Sequence, residues 1–216
     1  EEAAERQQAE EWFSRAAGAS RAGLQLLTDG GELLGAAVSI QEGEAWVFFA
    51  DRLTEAYLLE KVTTLVQSVP RTAVCGLKQQ LPWLAENGQG RMFDCHIAAY
   101  LLNPLKDHYT YDDIAKEYLG ELAPAREELL GKLSFSQAVK EKREETARWA
   151  GYAAQTVYRA APVQEELLDP QGMGKLFWEI EMPLAYTLYD MERVGIRAEA
   201  EALKVYGEQL AVRIAQ

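Results

Sequence analysis

The chain has 216 residues, of which 48% are hydrophobic and 26% charged, a composition typical of a globular protein with enough apolar side chain for a core. Its 34 acidic and 22 basic residues give a formal net charge of -12 at pH 7, which argues against a general nucleic-acid-binding surface. Two cysteines exclude a disulfide scaffold and a cysteine-only zinc site, and no stretch approaches the roughly 18 apolar residues of a membrane helix. Since a signal-like N-terminus is also missing, we expect a soluble protein of the reducing cytoplasm.

The first 22 residues predict a helical linker or tail. They are rich in Ala, Glu and Gln, and their one apolar pair, Trp12 and Phe13, predicts a small docking patch. From residue 23 onward, β-rich runs are joined by turn sequences at 29–31 and 41–44. This pattern predicts an antiparallel meander.

Helical periodicity begins after the meander. Apolar residues from Leu58 to Val66 recur at helical spacing behind Thr54, a typical N-cap. The next segments predict, in order, a strand at 72–76, a helix at 77–86, a strand at 91–93 and a helix at 94–102. This order predicts an α/β fold with helices on the faces of one sheet.

Only helices are predicted after this point. Thr110 is a predicted N-cap, and the acidic pair at 112–113 favours the first turn of the helix that follows. The pattern at 134–168 is almost wholly helical and is interrupted only at Pro162.

A turn sequence at 169–172 predicts the clearest boundary in the chain. Beyond it, residues 176–193 predict an amphipathic helix that is kinked at Pro183 and ended by Gly195. A last helix carries an apolar stripe, and the chain stops without a closing turn. We therefore expect this part to be the start of another domain, truncated in this fragment.

Three sequence motifs point to one protein family. Residues 176–196 contain EIEMPL and DMERVGI, residues 93–104 read FDCHIAAYLLNP, and residues 151–156 read GYAAQT. The first segment resembles the E-x-P-L helix and the D-M-E-x-x-G-V/I turn of bacterial DNA polymerase I, the family A replication and repair polymerase. The second resembles the FDT-x-L-A-x-Y-L-L-N/D-P run of that family, and the third resembles its R-Y-A-A-E-D exonuclease motif.

The resemblance implies both a fold and a division into domains. Residues 23–169 would form a ribonuclease-H-like 3′→5′ exonuclease domain, a mixed sheet of about five strands flanked by helices. Residues 1–22 would correspond to a linker, and residues 173–216 to the first helices that lead into the polymerase domain.

The motifs that carry exonuclease chemistry in this family are altered. Cleavage of the phosphodiester there uses two metal ions, which need carboxylate ligands. The two acids of the family's D-x-E motif correspond to Gln25 and Leu27, and the aspartate of its N-L-K-Y-D motif corresponds to Gln80. In the third motif, Y-x-x-x-D, the aspartate corresponds to Thr156. The tyrosine of that motif is retained as Tyr152, which we predict to be a packing residue. A shift of register would not restore the first motif, because no acid occurs in that strand. The resemblance thus implies no catalytic residue, metal or cofactor in this fragment, and Mg²⁺ only in the downstream polymerase domain.

Other reactive residue types have structural interpretations. His96 and His108 lack partner ligands at a spacing useful for a metal site. Cys75 and Cys95 are predicted to be small buried hydrophobes, and Asp94 is predicted to cap the helix that follows it.

Three functions remain open from the sequence. The first is a vestigial, inactive exonuclease-like domain that serves as a structural platform for the polymerase domain. In that case DNA is the partner of the parent enzyme, and this acidic fragment is a monomer. The second is an active exonuclease whose carboxylates have relocated, with Asp29, Glu32, Asp94 and Asp113 as candidates. The third is a non-catalytic module for single-stranded DNA or a protein, although the basic residues are interleaved with acids.

Overall fold

A computed structural model describes residues 2–84, 90–106 and 108–215. The first elements are helix α1 (Glu2–Ala16) and three strands, β1 (Ala22–Asp29), β2 (Glu32–Gln41) and β3 (Glu44–Phe49). They are followed by α2 (Ala50–Leu53), α3 (Glu55–Ser68), β4 (Thr72–Val74), α4 (Leu77–Leu84), β5 (Met92–Asp94) and α5 (Cys95–Leu102). The predicted end of α4 at residue 86 lies outside the described residues.

The second half of the chain is helical, as predicted. Its helices are α6 (Tyr111–Ile114), α7 (Arg126–Leu130), α8 (Phe135–Glu141), α9 (Arg143–Leu168), α10 (Gly174–Leu176), α11 (Met182–Val194) and α12 (Ala200–Ile214). Two π-helical turns, Ala115–Leu119 and Phe177–Glu181, continue α6 and α10. A turn occupies 169–172, where the sequence predicts a boundary. None of the helices in these described ranges has the length and apolar character to cross a membrane.

The five strands form one mixed sheet in the order β3-β2-β1-β4-β5. β1, β2 and β3 are antiparallel and form the predicted meander, whereas β4 and β5 run parallel to β1. The tight turn between β1 and β2 uses Gly30 and Gly31, whose φ angles are 58° and 86°. β4 is short and pairs with β1 at Ala22 and Gly23. In the described chain, the rest of that edge of β1 therefore has no strand partner.

The buried carboxylate of Asp94 connects β5 to the starts of two helices. Its predicted capping role is confirmed, because it accepts the backbone N–H of His96 at 2.9 Å. It also accepts the N–H groups of Gly76 at 3.0 Å and Leu77 at 2.6 Å, where α4 begins. Burial raises the pKa of this carboxyl group, while the N–H donors favour its charged form. One side chain thus determines where α4 and α5 begin relative to the sheet.

α3 and α6 begin at the predicted N-cap residues, Thr54 and Thr110. The hydroxyl oxygen of Thr54 accepts the N–H of Tyr57 at the start of α3. At the start of α6, the carboxylate of Asp113 accepts the N–H of Thr110 at 3.3 Å and its hydroxyl at 2.9 Å. These contacts satisfy donors that have no partner within a helix.

The predicted docking patch on α1 is part of the main core. Trp12 and Phe13 are only 3% and 4% exposed. Their ring centroids lie 5.5 Å and 4.9 Å from that of Phe48 in β3. The hydroxyl of Tyr57 in α3 donates to the carboxylate of Glu10 at 2.9 Å. α1 is therefore held against the domain by both apolar packing and a hydrogen bond.

The long helix α9 packs on β1, β2 and β3. It approaches β1 closely because Gly23 has no side chain, and a Cβ there would lie 2.2 Å from the carbonyl oxygen of Ala154. The interruption predicted at Pro162 is wrong: α9 continues through it, and the helical run breaks at Lys142 instead, with φ -138° and ψ 53°. The alanines just before Pro162 are buried in the core, and this packing offsets the hydrogen bond that proline removes.

The C-terminal helices first pack beside β5 and then leave the core. Phe177 is fully buried, with its ring centroid 4.7 Å from that of Phe93. The disruption predicted at Pro183 takes the form of the π-helical turn before α11, since proline has no N–H to continue α-helical bonding. Gly195 ends α11 with a φ of 72°, as predicted. Every side chain of α12 is exposed.

Replacing Trp12 with Ala tests whether α1 belongs to the core. Loss of this buried ring should lower the free energy of unfolding by about 3–5 kcal/mol, measured by urea denaturation. The matched control is Ser14→Ala on the exposed face of α1, which should change it by less than about 0.5 kcal/mol. Equally small effects of both substitutions would show that α1 behaves as a loosely attached tail.

Candidate functional site

The positions that the resemblance matches to the family's exonuclease carboxylates lie on β1, α4 and α9. Alternation along β1 puts Gln25 and Leu27 on the same face of the sheet. Leu27 is fully buried in an apolar cluster that includes Ala153 and Ala154 of α9. One of the positions that would be acidic in the family is therefore inside the core.

Gln80 connects α4 to β1. Its side chain is 3% exposed. Its Oε1 accepts the N–H of Leu26 at 3.0 Å, and its Nε2 donates to the carbonyl oxygen of Cys75 at 3.2 Å. An ionised carboxylate could accept the first bond but could not donate the second. The amide thus fits a structural role at this position.

Gln25 also binds Leu26 of β1. Its Nε2 donates to the carbonyl oxygen of Leu26 at 2.8 Å. Because β4 is short, the N–H and C=O of Leu26 face an edge of β1 without a strand partner, and buried backbone polar groups need partners. The two glutamines supply these partners.

Tyr152 and Thr156 lie one turn apart on α9. Thr156 is 5% exposed, whereas Tyr152 is 39% exposed. Tyr152 is therefore more exposed than the packing residue that the sequence predicts, because it lies at the border of the face that α9 presents to the sheet.

A cavity of about 470 Å³ opens beside the unpaired edge of β1. Gln25 and Gln80 line it, but Leu27, Tyr152 and Thr156 do not. Much of the remaining wall is amide or aromatic, with contributions from Gln79, His96, His108, Tyr109, Tyr111, Phe135 and Trp149. The charged side chains in the wall are Asp112, Glu127 and Arg126.

Asp112 and Glu127 are cavity residues that sequence reasoning did not identify. Asp112 lies in the first turn of α6, as predicted, and Glu127 in the first turn of α7. Burial raises the pKa of Tyr111, and the neighbouring carboxylate of Asp112 raises it further. No local signal could have placed these acids beside β1, since their position depends on how α6 and α7 pack.

The acids considered as relocated ligands have separate structural positions. Asp29 accepts a backbone N–H of α8 at 3.0 Å, which lowers its pKa. Asp94 caps α4 and α5, Asp113 caps α6, and Glu32 is exposed at the start of β2. Over the described ranges, no group of three or more His, Cys, Asp or Glu side chains is arranged to hold a metal ion.

Both cysteines are free thiols. Cys95 is fully buried, as predicted, whereas Cys75 is half-buried and its thiol donates to the carbonyl oxygen of Tyr109 at 3.7 Å. Burial raises the pKa of both thiols. Neither is therefore an activated thiolate.

No protein-family model matches the chain. Among solved structures, Brucella melitensis NrnC bound to pGG is similar with a TM-score of 0.64 and 14% identity, covering 86% of this chain and 91% of that one. The POL domain of Pol1 from M. smegmatis, in complex with DNA primer-template and dNTP, has a TM-score of 0.66 and 19% identity, covering 95% of this chain and 34% of that one. The chain has the ribonuclease-H-like 3′→5′ exonuclease fold that the resemblance implied.

The curated sequences that are similar to this chain include the DNA polymerase I of several bacteria. DNA polymerase I of Bacillus subtilis (strain 168) is 32% identical over 136 residues, which cover 62% of this chain and 15% of that protein. The resemblance to bacterial DNA polymerase I is confirmed, and this chain is similar to a segment of that enzyme. It spans much less than two thirds of its relative's length.

Replacing Gln80 with Asp tests the connection between α4 and β1. The shorter, buried carboxylate cannot bridge Leu26 and Cys75, so the free energy of unfolding should fall by about 1–3 kcal/mol at pH 7. Gln79→Asp, at the exposed neighbouring position, is the matched control and should change it by less than about 0.5 kcal/mol. Urea denaturation of both variants makes the comparison. If Gln80→Asp were as stable as the control, the amide would not be the connection that its hydrogen bonds indicate.

Proposed function

We propose that this chain is a vestigial, catalytically inactive 3′→5′ exonuclease-like domain of a bacterial DNA polymerase I. The observation that carries the proposal is the set of uncharged side chains at the carboxylate positions, namely Gln25, Leu27, Gln80 and Thr156. Two-metal hydrolysis needs carboxylates to replace the water that Mg²⁺ or Mn²⁺ gives up on binding. The burial of Leu27 and the bonds of Gln80 to backbone groups support the proposal.

In this proposal the domain is a structural platform for template-directed DNA synthesis by a downstream polymerase domain. The apolar stripe on α12 supports this role, because Leu203 and Ile214 are 63% and 83% exposed. A stripe of this kind is stabilised when another surface covers it. The parent enzyme is then a DNA-directed nucleotidyltransferase of replication and repair in the cytoplasm. It binds DNA and Mg²⁺ in its polymerase domain, and this domain by itself is a monomer without a cofactor.

Two other functions have less support. An exonuclease with relocated carboxylates requires acids that converge, whereas Asp29, Asp94 and Asp113 each bind a different helix start. A single-stranded DNA module requires a basic groove. The cavity beside β1 instead has two acids and one arginine in its wall.

The chain should not degrade single-stranded DNA from the 3′ end with either Mg²⁺ or Mn²⁺. The assay follows a 5′-labelled oligonucleotide and uses a mock purification to set the background. A variant carrying Asp112→Asn and Glu127→Gln separates the sources of any shortening. Metal-dependent shortening above the background of the mock purification would contradict the proposal, and its loss in this variant would assign the activity to the cavity beside β1.

The thermal stability of the domain should not depend on divalent metal. A specific site filled at 100 times its dissociation constant would add about 2.7 kcal/mol to the free energy of unfolding. Because no carboxylate cluster occupies the family's metal positions, melting temperatures in EDTA and in millimolar Mn²⁺ should agree at matched ionic strength. A rise of several degrees that is specific to Mn²⁺ would show that a metal site survives.

A further inference from the structure

A second cavity, of about 190 Å³, lies where β1 and β4 begin. Three small buried residues line it, Ala22, Ala73 and Ala161. Its wall carries the polar side chains of Ser20, Arg21, Arg71, Tyr158 and Glu165. None of these residues belongs to the exonuclease motifs, and the proposed function leaves the cavity without a role.

Aromatic rings hold both arginines of this cavity. The guanidinium carbon of Arg21 lies 4.6 Å from the ring centroid of Tyr158, and that of Arg71 lies 4.0 Å from the ring centroid of Trp178. Stacking on a ring restricts the plane of a guanidinium group while its N–H edges stay able to donate. The two cations are therefore restrained before any ligand binds.

The backbone around the cavity is also firmly positioned. The N–H of Ala22 donates to the carbonyl oxygen of Arg71 at 2.9 Å, which ties the start of β1 to the start of β4. α9 approaches so closely that a Cβ on Gly23 would lie 2.7 Å from the Cβ of Tyr158. These contacts fix the positions of the backbone segments that carry Arg21, Arg71 and Tyr158.

The local charge of the cavity is positive, although the chain as a whole is acidic. Arg71 pairs with Glu165 at 3.4 Å, while both side chains remain about one third exposed. Within the described residues, Arg21 has no carboxylate partner. At physiological salt the field of distant acids is screened beyond about 8 Å. The pair of arginines can therefore attract an anion despite the net charge of -12.

We propose that this cavity binds a phosphate group. Two stacked guanidinium groups offer the paired N–H donors that match phosphate oxygens, and Ser20 and Tyr158, which each carry a hydroxyl group, also line the cavity. The cavity is smaller than the roughly 300–1,000 Å³ of typical ligand pockets, so it takes a phosphate rather than a whole nucleotide. Free inorganic phosphate and the phosphates of a nucleic acid strand present the same chemistry, and the experiment distinguishes them.

Equilibrium dialysis of the 216-residue chain against labelled inorganic phosphate, at constant ionic strength, tests the proposal. We expect saturable binding that becomes at least about tenfold weaker in Arg21→Gln and in Arg71→Gln, because each loses charge-assisted hydrogen bonds. Glu165→Gln should bind more tightly, since it releases Arg71 from its carboxylate partner. The matched control, Arg148→Gln, removes the same charge from an exposed position on α9 and should bind as the unmodified chain does.

Competition with a short single-stranded oligonucleotide identifies the source of the phosphate. Displacement that depends on both arginines indicates a strand, and the lack of displacement indicates free phosphate. Arg71→Lys keeps the charge without the planar fork and should also bind more weakly, which covers the case in which Arg71→Gln fails to fold. The proposal is overturned if the unmodified chain shows no saturable binding, if the Arg21 and Arg71 variants bind normally, or if Arg148→Gln weakens binding equally.

Discussion

The arrangement of the cavity beside β1 depends on one buried carboxylate. A buried charge is tolerated only when it is paired or hydrogen-bonded, and Asp94 accepts backbone N–H groups from the starts of both α4 and α5. Since the first turn of α4 is held in this way, Gln80 lies one turn later and reaches across to Leu26. The connection from β5 to β1 thus passes through one helical turn and one amide side chain.

The short strand β4 explains why that amide matters. Were β4 longer, its backbone would satisfy Leu26, as it does at the start of β1. Instead two glutamines bind this residue: Gln80 accepts its N–H, and Gln25 donates to its carbonyl oxygen. Four carboxylates at such a place would repel one another unless metal ions lay between them. Neutral side chains remove that repulsion, and full burial of a leucine such as Leu27 contributes about 1.5–3 kcal/mol.

The distribution of charge differs between the cavity beside β1 and the cavity where β1 and β4 begin. The larger one has Asp112 and Glu127 against Arg126, which makes its wall acidic overall. The smaller one has two arginines against Glu165 and lies where β1 and β4 begin. The net charge of the chain therefore does not predict the charge of the smaller cavity, because screening makes each cavity respond mainly to charged groups within about 8 Å.

Local sequence patterns determined the meander and the helix caps, because each depends on residues a few places apart, and the resemblance to the family predicts the uncharged motif positions. Tertiary structure decided the rest. Burial of the alanines before Pro162 overrode a local helix-breaking rule. The bond between Gln80 and Leu26 joins residues 54 positions apart, a contact that no local pattern encodes. The resemblance of the sequence to the family predicts which carboxylates are missing from the motifs. What stands in their place, an amide bonded to backbone and a leucine in the core, followed only from the packing of α4 and α9 on the sheet.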